Sequence, residues 1–435
     1  MNNIQMAQRD LKVLWHPCTQ MKDHETLPMT PIAKGEGVYL EDFEGNRYID
    51  AISSWWVNLF GHSNPYINQK IKEQLETLEH VILAGFTHEG VVRLSERLVK
   101  LSPEGLTRCF YADNGSSAIE VALKMSYHFH RNRGDERPLF VSLSESYHGE
   151  TLGALAVGDV ALYKETYEPL LIRSVQTQTP RDQSIEAALE AAEAFAALLR
   201  ERGSEISALI VEPLVQCAGG MKMYHPRFLT EAKRLCEENG IHFIADEIAV
   251  GFGRTGTLFA CEQAGISPDF MALSKGLTGG YLPLSVVLTT DDVYGAFYCD
   301  YDPVRSFLHS HSYTGNALAC AAANATLDIF ETEGVIENNR RMSGLVAKEL
   351  KRFSRFKQVK EVRQCGMIAA IELEGFDPKE RIGLKIHQFC LDRGVLIRPL
   401  GGVIYVMAPY VITESEIIRV FDAIEGAIAS VSVDV

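Results

Sequence analysis

Short apolar segments alternate with helix-like stretches through the middle of the chain, and no other feature constrains the fold as strongly. The segments are 109–112, 139–141, 208–211, 242–245 and 270–273. Strands that alternate with helices form a largely parallel sheet with helices on both faces, which predicts an α/β fold. In such a sheet, ligand-binding residues gather where the strands end at their carboxyl edge.

Regions on either side of this pattern predict a second, smaller unit. Residues 37–51 have the pattern of a small antiparallel hairpin with a turn at Glu44-Gly45-Asn46. A shorter α/β pattern begins after the long central region. We therefore expect a large domain over residues 59–333 and a small α/β domain formed by residues 1–58 together with 334–435.

The charge balance limits the partners that the chain can have. Its 435 residues carry 57 Asp and Glu against 42 Lys and Arg, a formal net charge of −15 at pH 7. The sequence has no block of five or more consecutive basic residues. Because nucleic acids and anionic membranes repel an acidic surface, neither is expected as a partner.

Cysteine usage and the lack of long apolar runs predict a cytoplasmic protein. The nine cysteines form no Cys-x-x-Cys pair, and their odd number and irregular spacing do not predict a disulfide framework. The first ten residues lack the apolar core of a signal peptide. No apolar run is long enough for a membrane-spanning helix.

Polar residues follow the first of these predicted strands. The stretch Asp113-Asn114-Gly115-Ser116-Ser117 comes directly after segment 109–112, and a helix with apolar residues at three- and four-residue spacing begins there. Free amide hydrogens and hydroxyls at the start of a helix suit a phosphate group. An ordinary serine N-cap explains the same residues without a ligand.

An acidic residue and a lysine follow two other predicted strands. Asp246 ends segment 242–245, and Lys275 stands between segment 270–273 and a run of glycines. Their separation suits one strand–helix–strand excursion, which would bring both side chains to one edge of neighbouring strands. Taken singly, a solvated loop lysine and an acidic loop residue or metal ligand are simpler explanations.

A phosphate cradle, a carboxylate and a lysine at one sheet edge meet the needs of pyridoxal 5′-phosphate. Its phosphate needs amide and hydroxyl donors, its aldehyde needs an amine, and its ring nitrogen needs an anion. We therefore predict that Lys275 bonds covalently to this cofactor and that Asp246 contacts the ring nitrogen. Tyr147, after segment 139–141, would stack on the ring, with a core tyrosine as the alternative.

A rival motif lies between Asp246 and Lys275. Gly251-Phe-Gly253-Arg-Thr-Gly256 matches the dinucleotide-binding pattern G-x-G-x-x-G, with Asp269 downstream. Residues intervene between the strand and the first glycine, and no apolar strand precedes Asp269, so an NAD-dependent oxidoreductase is only a distant alternative. No metal site is predicted, because the His-x-His pairs at 128 and 309 lack further ligands at zinc spacing.

Several stretches resemble the class III aminotransferases of the type I pyridoxal-phosphate fold, over essentially the whole chain. The matching stretches are Trp15-His-Pro17, Ser53-Ser-Trp-Trp56, Tyr147-His-Gly149, Met223-Tyr-His-Pro226, Ala245-Asp-Glu-Ile248 with 251–256, Ser274-Lys-Gly276 and 318–324. The region around Lys275 is common to the class. The paired tryptophans and the Met-Tyr-His-Pro stretch resemble the branch that forms 7,8-diaminononanoate in biotin synthesis, and a sister class III ω-aminotransferase is the alternative.

The resemblance implies roles for several cofactor-binding residues. Gly115 and Ser116 would hold the phosphate, Tyr147 would stack on the ring, and Asp246 would pair with the ring nitrogen. In this family the neighbouring subunit also contacts the phosphate, at the position that matches Ser312. A homodimer with shared active sites is therefore expected.

The resemblance also implies the substrates, with S-adenosylmethionine as amino donor and 8-amino-7-oxononanoate as acceptor. Arg398, expected to be buried, would bind the acceptor carboxylate with its planar fork, and a structural ion pair is the alternative. Trp55, Tyr147 and Tyr405 match aromatic positions of the substrate cleft, suited to an alkyl chain and a cationic sulfonium. Arg254 matches a family arginine near the cleft and has no assigned role.

Two positions depart from the family pattern. Cys18 stands where the family often has tyrosine, and Glu150 stands where it often has aspartate. Both lie in the donor region and leave the residues around Lys275 unchanged. Since some relatives use lysine in place of S-adenosylmethionine, the same reaction with lysine as donor is an alternative.

Overall fold

The structure, a computed structural model, describes residues 1–431. The predicted small domain extends to residue 435, and its positions 432–435 lie outside the described residues. The strands are β1 Ile32–Glu36, β2 Tyr39–Asp42, β3 Arg47–Asp50, β4 Leu106–Ala112, β5 Leu139–Leu143, β6 Ser174–Thr177, β7 Ile206–Val211, β8 Val215–Gln216, β9 Lys222–Met223, β10 His242–Asp246, β11 Phe270–Leu273, β12 Ser285–Thr290, β13 Val359–Cys365, β14 Ile368–Leu373, β15 Val395–Leu396 and β16 Val403–Val406.

Helices of widely different length connect these strands. The α-helical segments are α1 Asn3–Asp10, α2 Ser53–Trp56, α3 Pro65–Leu75, α4 Glu89–Leu101, α5 Gly115–Asn132, α6 Leu152–Val157, α7 Ala161–Lys164, α8 Ile185–Arg202, α9 Arg227–Asn239, α10 Asp291–Phe297, α11 Ala317–Thr332, α12 Val335–Leu350, α13 Ile382–Leu391 and α14 Glu414–Ser430. Short 3-10 helices lie at Met21–Glu25, Glu165–Leu170, Gly203–Glu205, Ala260–Ala264, Lys275–Thr278, Lys351–Arg355 and Pro378–Glu380. Within residues 1–431, no helix combines the length and the apolar character that a membrane crossing needs.

A seven-stranded sheet forms the centre of the protein, in the order β4-β12-β11-β10-β7-β5-β6. β12 runs antiparallel to both of its neighbours, and the other neighbouring pairs are parallel. The predicted α/β fold with a mainly parallel sheet is therefore confirmed. No predicted segment corresponds to β12, whose direction follows from its short connection to β11, because a parallel strand needs a crossover of a dozen or more residues.

Alternate residues of the central strands face two separate helix layers. In β10, Phe243 and Ala245 pack with one apolar cluster, whereas Ile244 packs with the other. Residues of α8 and α9 belong to the first cluster, and residues of α5 belong to the second. The period of two along each strand thus buries both faces of the sheet, as helix-covered parallel sheets require.

Helix α5 begins directly at the carboxyl end of β4. The Asn114 side chain accepts a hydrogen bond from the Ser117 amide, so the N-cap is an asparagine and not one of the serines considered from the sequence. The predicted apolar face of this helix, from Ala118 to Phe129, is buried. Because the first amides of a helix have no partner within it, α5 presents free donors at the sheet edge.

The two ends of the chain meet in a smaller sheet. β15 pairs in parallel with β3, which sets Val395 opposite Ile49 in the sheet β1-β2-β3-β15. β2 and β3 form the predicted antiparallel hairpin. β13, β14 and β16 form a three-stranded antiparallel sheet. The division of the chain at residues 58 and 333 stays a prediction.

Leu209→Ala tests the packing of the central sheet. Leu209 on β7 is fully buried, so its truncation should leave a cavity and lower the free energy of unfolding by about 2–5 kcal/mol. Chemical denaturation of the full chain measures this loss. Leu162→Ala is the matched control: that side chain is 83% exposed, and its truncation should change the free energy by less than about 0.5 kcal/mol. Equal losses in both variants would contradict the packing.

Candidate active site

A cavity of about 560 Å³ opens at the carboxyl edge of the central sheet. Its walls come from the residues that follow five strands, β4, β5, β7, β10 and β11. The predicted residues that line it are Gly115, Ser116, Tyr147, Asp246 and Lys275. The structure thus brings together the groups that the sequence places after separate strands.

Lys275 stands on a strained backbone at the edge of this cavity. Its φ is 45°, in the left-handed region that residues other than glycine rarely adopt. Its Nζ lies 5.3 Å from the centre of a Trp56 ring. Burial lowers the pKa of Lys275, and Asp246 opposes this shift. The amine therefore loses its proton more readily than a solvated lysine does, which suits a nucleophile.

The Asp246 carboxylate is held in place by a donor on each oxygen. His148 Nδ1 lies 2.7 Å from Oδ2, and the Ile248 amide donates to Oδ1 at 3.1 Å. The pairing of β10 with β11 sets Asp246 opposite Ala272, close to the end of the strand that leads to Lys275. A carboxylate fixed in this way keeps lone pairs for a further donor in the cavity.

The first turn of α5 and Gly149 form a narrow cradle. The φ of Gly149 is 124°, and a Cβ at this position would lie 2.3 Å from Ser116 Oγ, so a larger residue would clash. Ser116 Oγ accepts a hydrogen bond from the Thr151 amide at 3.1 Å and lies 2.7 Å from Thr151 Oγ1. Free amides together with two hydroxyls make a donor set that suits a phosphate.

Glu212 also lines the cavity, and the sequence-based prediction missed it. Its carboxylate accepts hydrogen bonds from the amides of Tyr147 and Cys217, at 3.0 and 2.9 Å. Burial raises the pKa of Glu212 to about 7, and His148 opposes this shift. Like Asp246, Glu212 directly follows an apolar strand, and that position is the signal that could identify it. His148 was missed too, although it adjoins Tyr147.

Arg398 and Trp55 lie outside the cavity lining. Arg398 is exposed, so the expectation of a buried arginine is wrong for the single chain. The physical reason is that its guanidinium packs on a partly exposed ring, 4.9 Å from the centre of Trp55, and donates to the Cys18 carbonyl at 3.0 Å. No ion pair of Arg398 occurs within residues 1–431, which leaves its charge available.

Tyr405 and Ser312 are not part of the lining either. Tyr405 is buried behind Trp56, with ring centres 6.0 Å apart in an edge-on arrangement. Trp56 lines the cavity in its place. Ser312 is exposed on a loop whose backbone carbonyl contacts His80 Nε2 at 2.6 Å. Its predicted role concerns a neighbouring subunit and stays a prediction.

The glycine-rich rival motif forms turns after β10. No helix begins within residues 251–256, whereas a dinucleotide site needs a helix N-terminus at these glycines. Arg254, within the motif, is buried and donates to the carbonyls of Ala408 and Asn58. The structural context of an NAD site is therefore missing.

The amine, the fixed carboxylate and the phosphate-binding cradle of one cavity fit pyridoxal 5′-phosphate. An α/β fold with this site defines a pyridoxal-phosphate-dependent enzyme. The family model described as aminotransferase class-III matches residues 20–428. The chain belongs to the class III aminotransferase family, as the sequence predicts.

Several proteins of this family that are similar to the chain share one name. The chain is 53% identical over 419 residues to the adenosylmethionine-8-amino-7-oxononanoate aminotransferase of Helicobacter pylori, covering 95% of each chain. It is 41% identical over 439 residues to the protein of the same name from Geobacter sulfurreducens, covering 97% of each. The crystal structure of the Methanocaldococcus jannaschii protein of that name matches with a TM-score of 0.94 and 38% identity, over 98% of this chain and 99% of that one.

Glu212→Gln should change how stability depends on pH. Because burial raises the pKa of Glu212 from 4.5 to about 7, the folded state keeps a proton in this window that the unfolded state releases. The free energy of unfolding should therefore fall as pH rises through the window, by at most about 1.4 kcal/mol per pH unit from this group. Denaturation of the cofactor-free full chain measures the slope, which should be smaller in the variant.

The exposed Glu186 on α8 provides the control for this experiment. Glu186→Gln should leave the pH slope of the wild-type chain unchanged, because a solvated carboxylate has similar surroundings in both states. If Glu212→Gln and Glu186→Gln both keep the wild-type slope, the buried carboxylate does not hold the extra proton.

Proposed function

We propose that the protein transfers an amino group from S-adenosylmethionine to 8-amino-7-oxononanoate and so forms 7,8-diaminononanoate in biotin synthesis. The observation that carries the proposal is the single cavity lined by Lys275, Asp246 and the first turn of α5. The extensive identity to relatives that bear the name of this reaction supports it. A different class III ω-aminotransferase would share the cofactor residues and differ in the residues around Trp55 and Arg398.

Gly115 and Ser116, with the free amides of α5, would hold the cofactor phosphate. Asp246 would accept a hydrogen bond from the ring nitrogen, while His148 and the Ile248 amide hold its carboxylate. When bound, pyridoxal 5′-phosphate supplies an aldehyde that takes an amino group from one substrate and gives it to another, and a ring that withdraws electrons from the bond that breaks.

Lys275 would carry the proton in both half-reactions. Its Nζ would move a proton from the donor carbon to the cofactor in the first half-reaction and from the cofactor to the acceptor carbon in the second, which requires an amine that exists without its proton near neutral pH. Burial lowers the pKa of Lys275 in that direction. Tyr147, which also lines the cavity, is held through its amide by Glu212 and through its hydroxyl, which donates to Glu150 Oε1 at 3.0 Å.

Arg398 would bind the carboxylate of the acceptor. Its guanidinium is exposed, has no ion pair within residues 1–431 and lies 4.9 Å from the centre of the Trp55 ring. A guanidinium edge binds both oxygens of a carboxylate. The alkyl chain of the acceptor would then extend past the tryptophan pair toward Lys275, whose Nζ faces Trp56.

Lysine is the second candidate donor, because of Cys18 and Glu150. Glu150 lines the cavity beside Tyr147, whose ring packs against Tyr163 with centres 5.4 Å apart. A carboxylate among aromatic rings favours a cation. The sulfonium of S-adenosylmethionine and the side-chain ammonium of lysine both meet this requirement.

We also propose a homodimer in the cytoplasm. Large apolar side chains flank Ser312 on the surface of the chain, with Leu308 79% and Tyr313 65% exposed. Exposed apolar residues in one region are typical of a protein interface. All nine cysteines are free thiols, which suits a reducing compartment.

Visible absorbance with one substrate at a time tests the reaction and the donor. The cofactor-loaded protein should lose the visible absorbance band of its bound cofactor when S-adenosylmethionine is added without the keto acid, because the cofactor then takes the amino group. Lysine should leave the band unchanged. Lys275→Ala should fold normally, but neither donor should convert the cofactor to its amine form, because no group then moves the proton. A response to lysine alone would replace S-adenosylmethionine as donor, and a response of Lys275→Ala like that of the wild type would remove Lys275 from its role.

Arg398→Ala should weaken the second half-reaction selectively. Loss of the Arg398 guanidinium, which would bind the acceptor carboxylate, should raise KM for 8-amino-7-oxononanoate by about 10- to 100-fold, as expected for a pair of charge-assisted hydrogen bonds. The first half-reaction with the donor should keep its rate. Arg393→Ala is the control, since this exposed arginine packs on Phe389. An unchanged KM in Arg398→Ala would assign the carboxylate to another residue.

A further inference from the structure

The segment that carries the paired tryptophans has an unusual backbone. Ser53, Ser54, Trp55 and Trp56, the four residues of α2, have φ values of 51°, 46°, 73° and 72°. Left-handed backbone normally occurs as single residues, and glycine is the residue that adopts it without strain. A left-handed turn of four consecutive residues without a glycine persists only when its surroundings hold it.

This left-handed turn sets the direction of both tryptophan rings. Trp56 faces Lys275 Nζ at 5.3 Å, and Trp55 lies under the Arg398 guanidinium at 4.9 Å. In a right-handed or extended backbone, consecutive side chains leave the chain in other directions. The conformation of the turn therefore determines whether one ring reaches Lys275 while its neighbour reaches Arg398.

Arg254 donates a hydrogen bond to a backbone carbonyl of this turn. Its side chain is 1% exposed. Nη2 donates to the carbonyls of Trp56 and Asn58, at 3.4 and 3.0 Å, and Nη1 donates to the carbonyl of Ala408 at 2.8 Å. Arg254 thus joins the end of the turn to the chain that follows β16.

The absence of a carboxylate partner makes this arginine unusual. Within residues 1–431, Arg254 forms no salt bridge, and its guanidinium lies 5.0 Å from the centre of the Tyr410 ring. A buried charge is costly unless its donors are satisfied. Here backbone carbonyls from two separate segments satisfy Nη1 and Nη2, whereas Nε has no hydrogen-bond partner among the described residues. Moving either segment would leave a further donor of this buried charge unpaired.

The glycines of the 251–256 motif allow Arg254 to reach this position. A Cβ on Gly251 would lie 2.7 Å from the Glu247 carbonyl, and Gly253 has a φ of 91° with Ile336 3.0 Å from its Cβ position. Larger residues at these positions would clash or strain the backbone. The pattern that resembles a dinucleotide fingerprint therefore has a packing explanation.

Two further side-chain hydrogen bonds hold the same turn. Ser53 Oγ donates to the Met407 carbonyl at 2.7 Å, and Ser54 Oγ donates to Asp50 Oδ2 at 2.7 Å. Asp50 is also contacted by His62 Nε2 at 3.0 Å. Neither bond restrains the carbonyl end of the turn, where Arg254 donates.

We propose that Arg254 is a positioning residue, which fixes the left-handed turn Ser53–Trp56 through the carbonyls of Trp56, Asn58 and Ala408 and so directs Trp56 at Lys275 and Trp55 at Arg398. The role of Arg254 in fixing the turn is inferred from these contacts alone. Only its consequence for the acceptor substrate rests on the proposed function.

Tryptophan fluorescence measures the turn without any substrate. The chain has three tryptophans, of which Trp15 is 79% exposed. In a Trp15→Phe background the signal comes from Trp55 and Trp56 alone. We expect Arg254→Lys, in the full-length cofactor-loaded protein, to raise the acrylamide quenching constant by about twofold or more, because a single ammonium cannot hold carbonyls of two segments in a planar fork.

Arg363→Lys is the matched control. Arg363 is also buried and donates to the carbonyls of Gly220 and Met221, but it pairs with Glu361 and Glu372 on β13 and β14 and does not line the cavity. This variant should lose stability and keep the parent quenching constant. Ser53→Ala, which removes an independent hydrogen bond of the same turn, should raise quenching in the same direction as Arg254→Lys.

The kinetic readout separates positioning from general stability. In Arg254→Lys, KM for 8-amino-7-oxononanoate should rise by about fivefold or more, since Trp55 no longer supports Arg398, whereas Arg363→Lys should keep it. Parent-like quenching in Arg254→Lys would overturn the proposal. So would loss of the whole fold in Arg254→Lys while Arg363→Lys folds, because Arg254 would then be a core residue. If the protein uses another substrate, the fluorescence result still decides the role of Arg254.

Discussion

The parallel pairing of β10 with β11 is the constraint on which the rest of the site depends. It places Asp246, at the end of one strand, opposite Ala272 on the next, so that the carboxylate and the following Lys275 reach the same edge of the sheet. Right-handed crossovers and buried faces fix such a pairing in an α/β fold. The remaining cavity residues follow from it, because β4, β5 and β7 end at the same edge and contribute one short polar segment each.

Strand-end logic predicts the part of the site that local sequence determines. Gly115, Ser116, Tyr147, Asp246 and Lys275 each follow an apolar strand or end it, and all five line the cavity. The same logic extends to Glu212. It does not extend to β12, because no predicted segment covers that strand. Nor could it foresee that Arg398 is exposed, since that depends on where residues distant in sequence, Trp55 and Cys18, meet it.

Long-range contacts also explain why Arg254 had no assigned role. A pattern of glycines describes the backbone near itself, whereas the partners of Arg254 are carbonyls far away along the chain, at Trp56, Asn58 and Ala408. Backbone carbonyls carry no side-chain signature, so no residue type marks them as partners. The left-handed turn is equally hidden, because Ser-Ser-Trp-Trp contains no glycine to indicate positive φ.

The departure at position 18 can be understood from the kind of contact that it makes. Arg398 donates to the backbone carbonyl of Cys18 and not to its side chain. A change from tyrosine to cysteine therefore preserves this hydrogen bond while it removes a ring from the neighbourhood of Tyr147. The ring of Tyr163 packs against the ring of Tyr147 there. The hydroxyl of Tyr147 donates a hydrogen bond to Glu150. Because a backbone carbonyl is present whatever the side chain is, residue 18 can vary while Arg398 keeps this contact and its place.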